Sequence, residues 1–230
     1  IEHGIYVGKN VTLRGATGNR DDVVIGPNPK TSGTTNYRVI TASGNGAVIA
    51  DLTIINGYVS SDANNVMKAY GGGVLLSSYA TITNCHITSC IAFRSATAAG
   101  ISVSNSYMYD TLVDKCKKTY SDPSTAYNNR GYIVLVTGAS VVDRCQIVDN
   151  TAESVIAGGN QPFGGALAIQ NTSGATSIVR NCLIARNAVL AGKDSRDYYY
   201  ATGLSIRGGI CENCTIVSNR SDVAGKFMVL

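Results

Sequence analysis

A short apolar and polar pattern returns at intervals along the chain. Residues 178–187 read IVRNCLIARN, and related strings occur at 80–90 (ATITNCHITSC), 140–150 (SVVDRCQIVDN) and 211–219 (CENCTIVSN). Within these strings apolar residues alternate with polar ones in a period of two, which is the pattern of a half-buried strand. Helical spacing does not persist anywhere. The pattern therefore predicts short strands.

Alignment on the cysteines turns these strings into a repeat. Successive members of the aligned column are 33, 31, 29, 37 and 32 residues apart. A period between roughly 20 and 50 residues is typical of a solenoid. Apolar residues recur three positions before each member of the column and two positions after it, and Lys118 is the exception among the residues two positions after. The column contains Leu52, Cys85, Cys116, Cys145, Cys182 and Cys214.

A further strand precedes each unit, and it follows a glycine, alanine or tyrosine. Its alternating apolar residues are Val74/Leu76, Ile101/Val103, Ile133/Leu135, Leu167/Ile169 and Leu204/Ile206. Each repeat thus offers three short strands, and strands that stack in register between repeats describe a parallel β-helix. We expect an all-β, single-stranded parallel β-helix of about six to seven rungs with three short strands per rung, in which residues 1–230 form one domain.

The spacing inside each repeat predicts a sharp bend. The inward apolar residue and the column cysteine are three apart, so a straight strand would place them on opposite faces. Both point inward only if the chain bends between them, and asparagine tolerates the left-handed backbone that such a bend needs. We expect a second asparagine column to close the third strand: Asn150, Asn187 and Asn219. The predicted bend residues are Asp51, Asn84, Lys115, Arg144, Asn181 and Asn213.

The repeats resemble a known superfamily. The strings VTLRGATGNRDDVVI (11–25), YGGGVLLSSYATITNCHI (70–87) and FGGALAIQN (163–171) are similar to right-handed β-helix proteins of the pectin-lyase-like superfamily. More narrowly, they resemble repeat-rich bacterial surface proteins of the polymorphic outer-membrane-protein type. The resemblance implies a right-handed solenoid, in keeping with the general handedness of parallel crossovers. It also implies a range of functions, from polysaccharide lyases and epimerases to adhesins.

Composition and charge narrow the range of partners. The net charge of +4 is small and scattered, and no Lys/Arg run occurs, so we expect no nucleic-acid partner. No apolar stretch reaches the roughly 18 residues needed to span a bilayer. The chain starts at Ile1 and stops in an apolar string, so we interpret it as a segment of a longer polypeptide. Together with the resemblance, this predicts an extracellular or cell-surface location in a bacterium.

The residues predicted to face outward do not favour catalysis or metal binding. In enzymes of the superfamily the polysaccharide usually lies on the outer face of the first strand. Our predicted outward residues there include no carboxylate, whereas hydrolysis needs two and a bound calcium ion needs several. Asp114 and Asp143 could stack one rung apart as an acidic site, but a solvated surface with partial charge pairing is favoured over that reading. The predicted outward residues are Leu75, Ser102, Val134, Ala168 and Ser205.

Tyrosines in the segments after the third strand are the ligand-binding candidates. Tyrosine rings can stack on sugars and their hydroxyls can form hydrogen bonds. Exposed loops without a ligand are the alternative reading. Tyr79, Tyr107 and Tyr109 border the same face from its other edge. The candidate residues for polysaccharide or host-glycan contact are Lys193, Arg196, Tyr198, Tyr199, Tyr200, Tyr120 and Tyr127.

Three further expectations concern single residues. A buried, unpaired lysine is costly, so we expect the chain to bulge at Lys118 and bring its amine to solvent. Stacked cysteines lie about one strand spacing apart, which is too long for a relaxed disulfide, so we predict no disulfides in the column. Cys90 stands where asparagine stands in other repeats, and we take it as the candidate exposed thiol.

The sequence thus favours a non-catalytic β-helix module of a surface or secreted protein, acting as a rigid stalk or adhesin and contacting glycans, with no cofactor and no metal. The alternative is a lyase or epimerase that acts on an acidic polysaccharide. The alternative requires acids, or a Lys/Arg/Tyr set, to converge on one groove.

Overall fold

The computed structural model describes residues 4–27, 37–61, 70–94, 96–120, 131–154, 165–171, 174–190, 201–222 and 226–229. Within these ranges the chain is all-β, and every strand pairs with its neighbours in parallel, in the turn before or the turn after. The predicted fold class, a parallel β-helix, is confirmed. Its strands form four sheets that run along the rod.

The four sheets are numbered in the order in which the chain visits them. The first contains β1 (Ile5–Val7), β4 (Ile40–Ser43), β8 (Val74–Ser77), β12 (Ala98–Ser104), β16 (Tyr132–Thr137), β20 (Leu167–Gln170), β24 (Ala201–Arg207) and β28 (Lys226–Val229). The second contains β2 (Thr12–Arg14), β5 (Val48–Ala50), β9 (Thr81–Thr83), β13 (Tyr107–Tyr109), β17 (Val141–Asp143), β21 (Ser177–Arg180) and β25 (Gly209–Glu212). The third contains β3 (Val24–Ile25), β6 (Thr53–Ile55), β10 (His86–Thr88), β14 (Leu112–Asp114), β18 (Gln146–Val148), β22 (Leu183–Ala185) and β26 (Thr215–Val217). The fourth contains β7 (Tyr58–Ser61), β11 (Ile91–Arg94), β15 (Lys117–Tyr120), β19 (Thr151–Ser154), β23 (Ala188–Leu190) and β27 (Arg220–Ser221).

Each full turn therefore has four strands, one more than the three predicted. The additional strands form the fourth sheet, in a region that the sequence pattern assigns to loops. These strands are two to four residues long, so most of them offer a single inward residue before the sequence becomes variable. About five packed turns, β4 to β23, lie between a first turn with three described strands and a last turn whose second and third sheets are partly exposed, slightly fewer than the predicted six to seven.

The core is a dry column of inward side chains contributed by all four sheets. Val74, Ile101 and Val134 stack in the first sheet, and Ile87, Val113 and Ile147 stack in the third, all at 0% exposure. Burying such a side chain contributes roughly 1.5–3 kcal/mol. No single turn can bury its inward face alone, so the stack is stable only as a whole.

The predicted bends are present, with one change of register. Five predicted bend residues have φ values between 46° and 58°, as the left-handed bend requires: Asp51, Asn84, Arg144, Asn181 and Asn213. The corresponding residue in the remaining turn is Asp110 (φ 47°), whereas the predicted Lys115 (φ 50°) lies at the next corner along. That second left-handed corner contains Asn56, Ser89, Lys115, Asp149, Arg186 and Ser218.

The same change of register removes Cys116 from the predicted cysteine column. Leu112 donates its backbone N–H to Cys85, and Gln146 donates to Thr111, so Thr111 is the residue stacked between Cys85 and Cys145. Thr111 is buried and its hydroxyl donates to the Tyr109 carbonyl oxygen at 2.7 Å, which removes the polar cost of an inward threonine. The true spacings at this point are 26 and 34 residues rather than the aligned 31 and 29.

Cys116 belongs instead to the second predicted column, the asparagine ladder. Lys117 donates its backbone N–H to Cys90, Thr151 to Cys116 and Ala188 to Asn150, so these residues lie in register. The ladder is confirmed from Asn150 to Asn219. Asn150 Nδ2 donates to Asn187 Oδ1 at 3.0 Å, and Asn187 Nδ2 donates to Asn219 Oδ1 at 2.9 Å.

The ladder is buried, so Cys90 is buried with it. Asn150 and Asn187 are each 1% exposed and Cys90 is 0% exposed, which makes the expectation of an exposed Cys90 thiol wrong. The physical reason is that this corner turns its side chains inward, where their polar atoms bond to backbone carbonyls. Cys90 Sγ is 3.4 Å from the Thr88 carbonyl oxygen, in the place that an asparagine amide takes in later turns.

All seven cysteines are free thiols, and only Cys211 and Cys214 are partly exposed. They lie in the last turn, where no further strand covers the second and third sheets within the described residues. Burial raises the pKa of Cys211, and it raises the pKa of Cys214 to about 12, so both are protonated at neutral pH.

We expect a thiol reagent such as 5,5′-dithiobis(2-nitrobenzoate) to modify Cys211 and Cys214 slowly in the native protein, because little thiolate is present. The other five, at most 3% exposed, should react only after unfolding. Absorbance of the released thiolate measures the count. A Cys211→Ser/Cys214→Ser double variant should show no native reaction, and a third thiol reacting as fast in the native protein would contradict this burial pattern.

Lys118 is the largest departure from expectation. It does not bulge outward: it is 0% exposed and is the largest fully buried side chain in the described part of the chain. It lies in β15, paired with Ala92 on one side and Ala152 on the other. These small neighbours leave room for a long side chain, and Nζ donates to the Thr119 carbonyl oxygen at 3.3 Å. Burial lowers the pKa of Lys118 to about 7, so the amine is largely neutral in weakly basic solution.

Candidate functional site

The outer face of the first sheet, where the resemblance implies a polysaccharide groove, is buried in its middle turns and half-buried at Leu75 and Ser205 on either side. Ser102 and Leu135 are each 3% exposed and Ala168 is 0% exposed, although all three point away from the core. Leu135 and Ala168 belong to a separate apolar cluster with Ala98, Tyr132 and Tyr70.

The outward residue of β16 is Leu135 and not the predicted Val134. Val134 pairs with the inward Ile101, and Leu135 pairs with the outward Ser102. β12 has a register irregularity between Ala98 and Ile101, which moves the alternation of β16 by one residue relative to the sequence alignment.

The ligand-binding residues predicted from sequence fall mostly outside the described residues. Tyr120 ends β15, where its backbone pairs with Ser154. The remaining six lie outside the described residues: Lys193, Arg196, Tyr198, Tyr199, Tyr200 and Tyr127.

The outer face of the second sheet carries a pair of tyrosines. In β13 the inward residue is Met108, which is 0% exposed, so Tyr107 and Tyr109 project outward on either side of it. Their ring centroids are 6.3 Å apart and their planes are within 5° of parallel. Threonines Thr81 and Thr83 lie opposite them on the neighbouring strand β9. The result is an aromatic pair on a surface with hydroxyl groups beside it.

Charged side chains lie beside Tyr109, at one edge of the tyrosine pair. Arg144 Cζ lies 6.0 Å from the Tyr109 ring centroid, within the range of a cation–π contact. The guanidinium donates to both carboxylate oxygens of Asp110, from Nε at 2.8 Å and from Nη2 at 2.9 Å. Nη1 donates to Asp143 Oδ2 at 2.8 Å. Arg144 is therefore held in place, because its planar guanidinium group donates hydrogen bonds to Asp110 along one edge and to Asp143 along another.

Asp143 is the buried centre of the network. Its side chain is 4% exposed, and it also accepts hydrogen bonds from Arg180 Nη2 at 3.2 Å and from Asn181 Nδ2 at 2.8 Å. The hydrogen bond from Asn181, followed by that from Arg180, lowers the pKa of Asp143 below its usual value, against the opposing effect of burial. The carboxylate is therefore ionised at neutral pH, and its negative charge is compensated.

The two aspartates of the predicted acidic column do not meet. Asp143 lies in the second sheet, opposite Tyr109 and Arg180, whereas Asp114 lies in the third. Asp114 instead forms a pair with His86, whose Nε2 is 2.8 Å from Asp114 Oδ1. Asp143 is paired with opposite charges, as the favoured prediction has it, but its side chain is buried and not solvated.

Among the described residues, no group of three or more His, Cys, Asp or Glu side chains has an arrangement that could hold a metal ion. None of the described segments is a helix long and apolar enough to cross a membrane.

Comparisons with protein-family models, with curated proteins and with solved structures found no match for this chain. The candidate site is therefore assigned from its geometry alone.

Sequence reasoning placed Tyr107 and Tyr109 at the edge of a groove but missed Arg144 and Asp110. Both are bend residues with positive φ, at 55° and 47°. A signal was available: opposite charges one turn apart at a stacked corner lie close enough to pair. The sequence alignment hid this signal, because it placed Lys115 and not Asp110 in the column of bend residues.

Proposed function

We propose that this chain is a non-catalytic β-helix module of a bacterial surface or secreted protein, a rigid rod that contacts glycans through the outer face of its second sheet. The observation that carries the proposal is the parallel pair Tyr107 and Tyr109, on an outer face and braced by Arg144. The proposed bacterial surface or secreted location rests on the resemblance of the repeats to the pectin-lyase-like superfamily and to polymorphic outer-membrane proteins.

The tyrosine pair suits a sugar for physical reasons. Aromatic rings present a flat apolar face to the C–H groups of a pyranose ring, and their hydroxyls remain available for hydrogen bonds. Because Arg144 is fixed by Asp110 and Asp143, little side-chain entropy is lost when a ligand contacts the Tyr109 edge. A rod built of stacked strands holds this surface at a constant geometry.

The non-catalytic part of the proposal is supported by the middle of the outer face of the first sheet, where Leu135 and Ala168 are buried. A polysaccharide that lay there would have to displace the covering contacts. Incubation with uronate polymers tests this point directly, since lyase action forms an unsaturated product that absorbs in the ultraviolet. Rising absorbance would contradict the proposal and favour an enzyme acting on acidic polysaccharide.

Replacing both Tyr107 and Tyr109 with alanine is expected to weaken glycan binding by at least about tenfold, since two stacking surfaces are lost. Each single variant should show an intermediate loss. Affinity electrophoresis through gels that contain soluble polysaccharides measures the effect as a change in retardation.

The matched control is Tyr6→Ala. Tyr6 is 68% exposed but lies in the first sheet, in the first turn, away from the pair. It should bind as the unmodified protein does. Equal losses in both variants, or unchanged binding in the Tyr107/Tyr109 variant, would remove the second sheet from the proposal.

A further inference from the structure

We infer that the glycan bound at the Tyr107–Tyr109 face is a neutral hexose polymer and not a uronate polymer. This inference rests on the proposed function and concerns the ligand class of the same site. It is carried by the charge balance of the network beside the tyrosine pair.

The charges of the network balance, although Arg180 donates to Asp143 through Nη2 alone and its buried Nε has no hydrogen-bond partner among the described residues. Arg144 bonds to Asp110 and Asp143, and Arg180 bonds to Asp143, so two guanidinium groups face two carboxylates. Arg144 uses Nε, Nη1 and Nη2 in these hydrogen bonds. A uronate carboxylate could reach the same fork only by displacing Asp110, which already binds it in the bidentate geometry that is hardest to improve.

The two columns that contain the network add no net positive charge. The outward row that contains Tyr109 and the adjacent bend column carry three arginines and four carboxylates among the described residues. The outward row through Tyr107 is uncharged. These two columns therefore carry one carboxylate more than they carry arginines, so they offer a polyanion no net positive charge. The charged residues are Arg14, Arg144, Arg180, Asp51, Asp110, Asp143 and Glu212.

The polar groups that remain suit hydroxyls. The side chain of Asp110 is 43% exposed, so its carboxylate can accept a sugar hydroxyl while it still binds Arg144. Thr81 and Thr83 on β9 are half-buried, and their hydroxyls can both donate and accept. Stacking on the tyrosines and hydrogen bonds to uncharged hydroxyls together describe recognition of a neutral sugar.

The test uses pairs of ligands that differ only in charge. Soluble neutral hexose polymers, namely a β-glucan, a mannan and a galactan, are compared with the same polymers oxidised at C6 to uronates. At least one neutral polymer should bind about tenfold more tightly than its oxidised form. Its binding should change little between about 0.05 and about 0.5 M salt, since no ion pair with the ligand is screened.

A charge variant sharpens the test. Asp110→Asn removes one negative charge and leaves Arg144 with a weaker partner on that side. It should increase binding of the oxidised polymer severalfold and make that binding salt-dependent. The Tyr107→Ala/Tyr109→Ala variant should lose binding of both forms.

The outcomes separate the two claims. If no polymer of either kind binds, the proposed function fails. If the oxidised form binds the unmodified protein as well as or better than the neutral form, and still requires the tyrosines, glycan contact stands and the neutral-ligand inference is overturned. An Asp110→Asn variant with unchanged uronate binding would also overturn the charge argument.

Discussion

Replacing Lys118 with methionine is expected to raise the free energy of unfolding at pH 7 by on the order of 3 kcal/mol. The side chain is fully buried, and burial lowers its pKa from 10.5 to about 7. Methionine has a similar length and no polar group to desolvate. The flanking Ala92 and Ala152 leave space for it. The lost hydrogen bond to the Thr119 carbonyl oxygen offsets only part of the gain.

The same substitution should remove a pH dependence. Between the folded pKa of about 7 and the unfolded value near 10.5, the unfolded chain binds a proton at Lys118 that the folded chain does not. The free energy of unfolding of the unmodified protein therefore rises with pH across that window, by up to about 1.4 kcal/mol per pH unit from this residue. Below pH 7 Lys118 is protonated in both the folded and the unfolded state. Its contribution to the free energy of unfolding then no longer changes with pH, and the full destabilisation by the buried charge remains.

Urea unfolding at about pH 6, 8 and 10, followed by circular dichroism, measures both effects. Buried thiols act in the opposite direction, because burial raises the pKa of Cys85 to about 11, so the quantity to compare is the difference between variant and parent at each pH. Lys117→Met is the matched control. Its amine is 44% exposed and bonds to Glu153 at 2.6 Å, so its replacement should change stability by less than about 1 kcal/mol. A Lys118→Met protein that is less stable than its parent would contradict the burial of this amine.

Replacing Asn187 with alanine is expected to lower the free energy of unfolding by on the order of 3–5 kcal/mol. Asn187 is 1% exposed and lies in the middle of the ladder. Its Oδ1 accepts from the backbone N–H of Asn150 at 3.1 Å and from Asn150 Nδ2 at 3.0 Å. Its Nδ2 donates to the Ile147 carbonyl oxygen at 2.9 Å and to Asn219. Alanine removes these hydrogen bonds in two successive turns and takes from the buried Asn150 backbone N–H its acceptor at Asn187 Oδ1.

Asn187→Cys should cost less than Asn187→Ala, because the chain itself uses cysteine in this column at Cys90 and Cys116. Cys116 Sγ lies 3.8 Å from the Ile87 carbonyl oxygen, so sulfur can take over one weak contact to a carbonyl. Asn213→Gly is the control at an exposed bend, where φ is 50° and glycine is unstrained, so stability should hardly change. Hydrogen exchange of the amides in β18 and β22 should locate the loss. Equal stability of the Ala and Cys variants would show that sulfur replaces none of the lost interactions, and an Ala variant as stable as the parent would contradict the contribution of the ladder.

The inward apolar columns could be predicted from sequence, and so could the bends. Ile82 and Cys85 are three residues apart and both are fully buried, which follows from the left-handed Asn84 between them. The prediction succeeded because a period-two strand and a short left-handed bend are local properties, set by a few neighbouring residues.

Stacking between turns could not be predicted in the same way. Thr111 is polar in sequence, yet it takes the column place between Cys85 and Cys145 because its hydroxyl bonds within its own bend. Alignment by residue type chose Cys116, five positions later, and carried Asp114, Lys115 and Lys118 into the wrong columns with it. The candidate site was affected for the same reason, since the pairing of Arg144 with Asp110 exists only in the correct register.

The sequence by itself determined the kind of fold: a regular repeat of short alternating strands and bend residues admits a stacked parallel solenoid, because only stacking buries every inward face. The tertiary structure decided how many strands make a turn, which residues of neighbouring turns face each other, and that an amine lies in the core. Those properties depend on contacts between residues 26 to 37 positions apart, where a hydrogen bond or a small neighbour such as Ala92 can reverse the preference of a side chain for water.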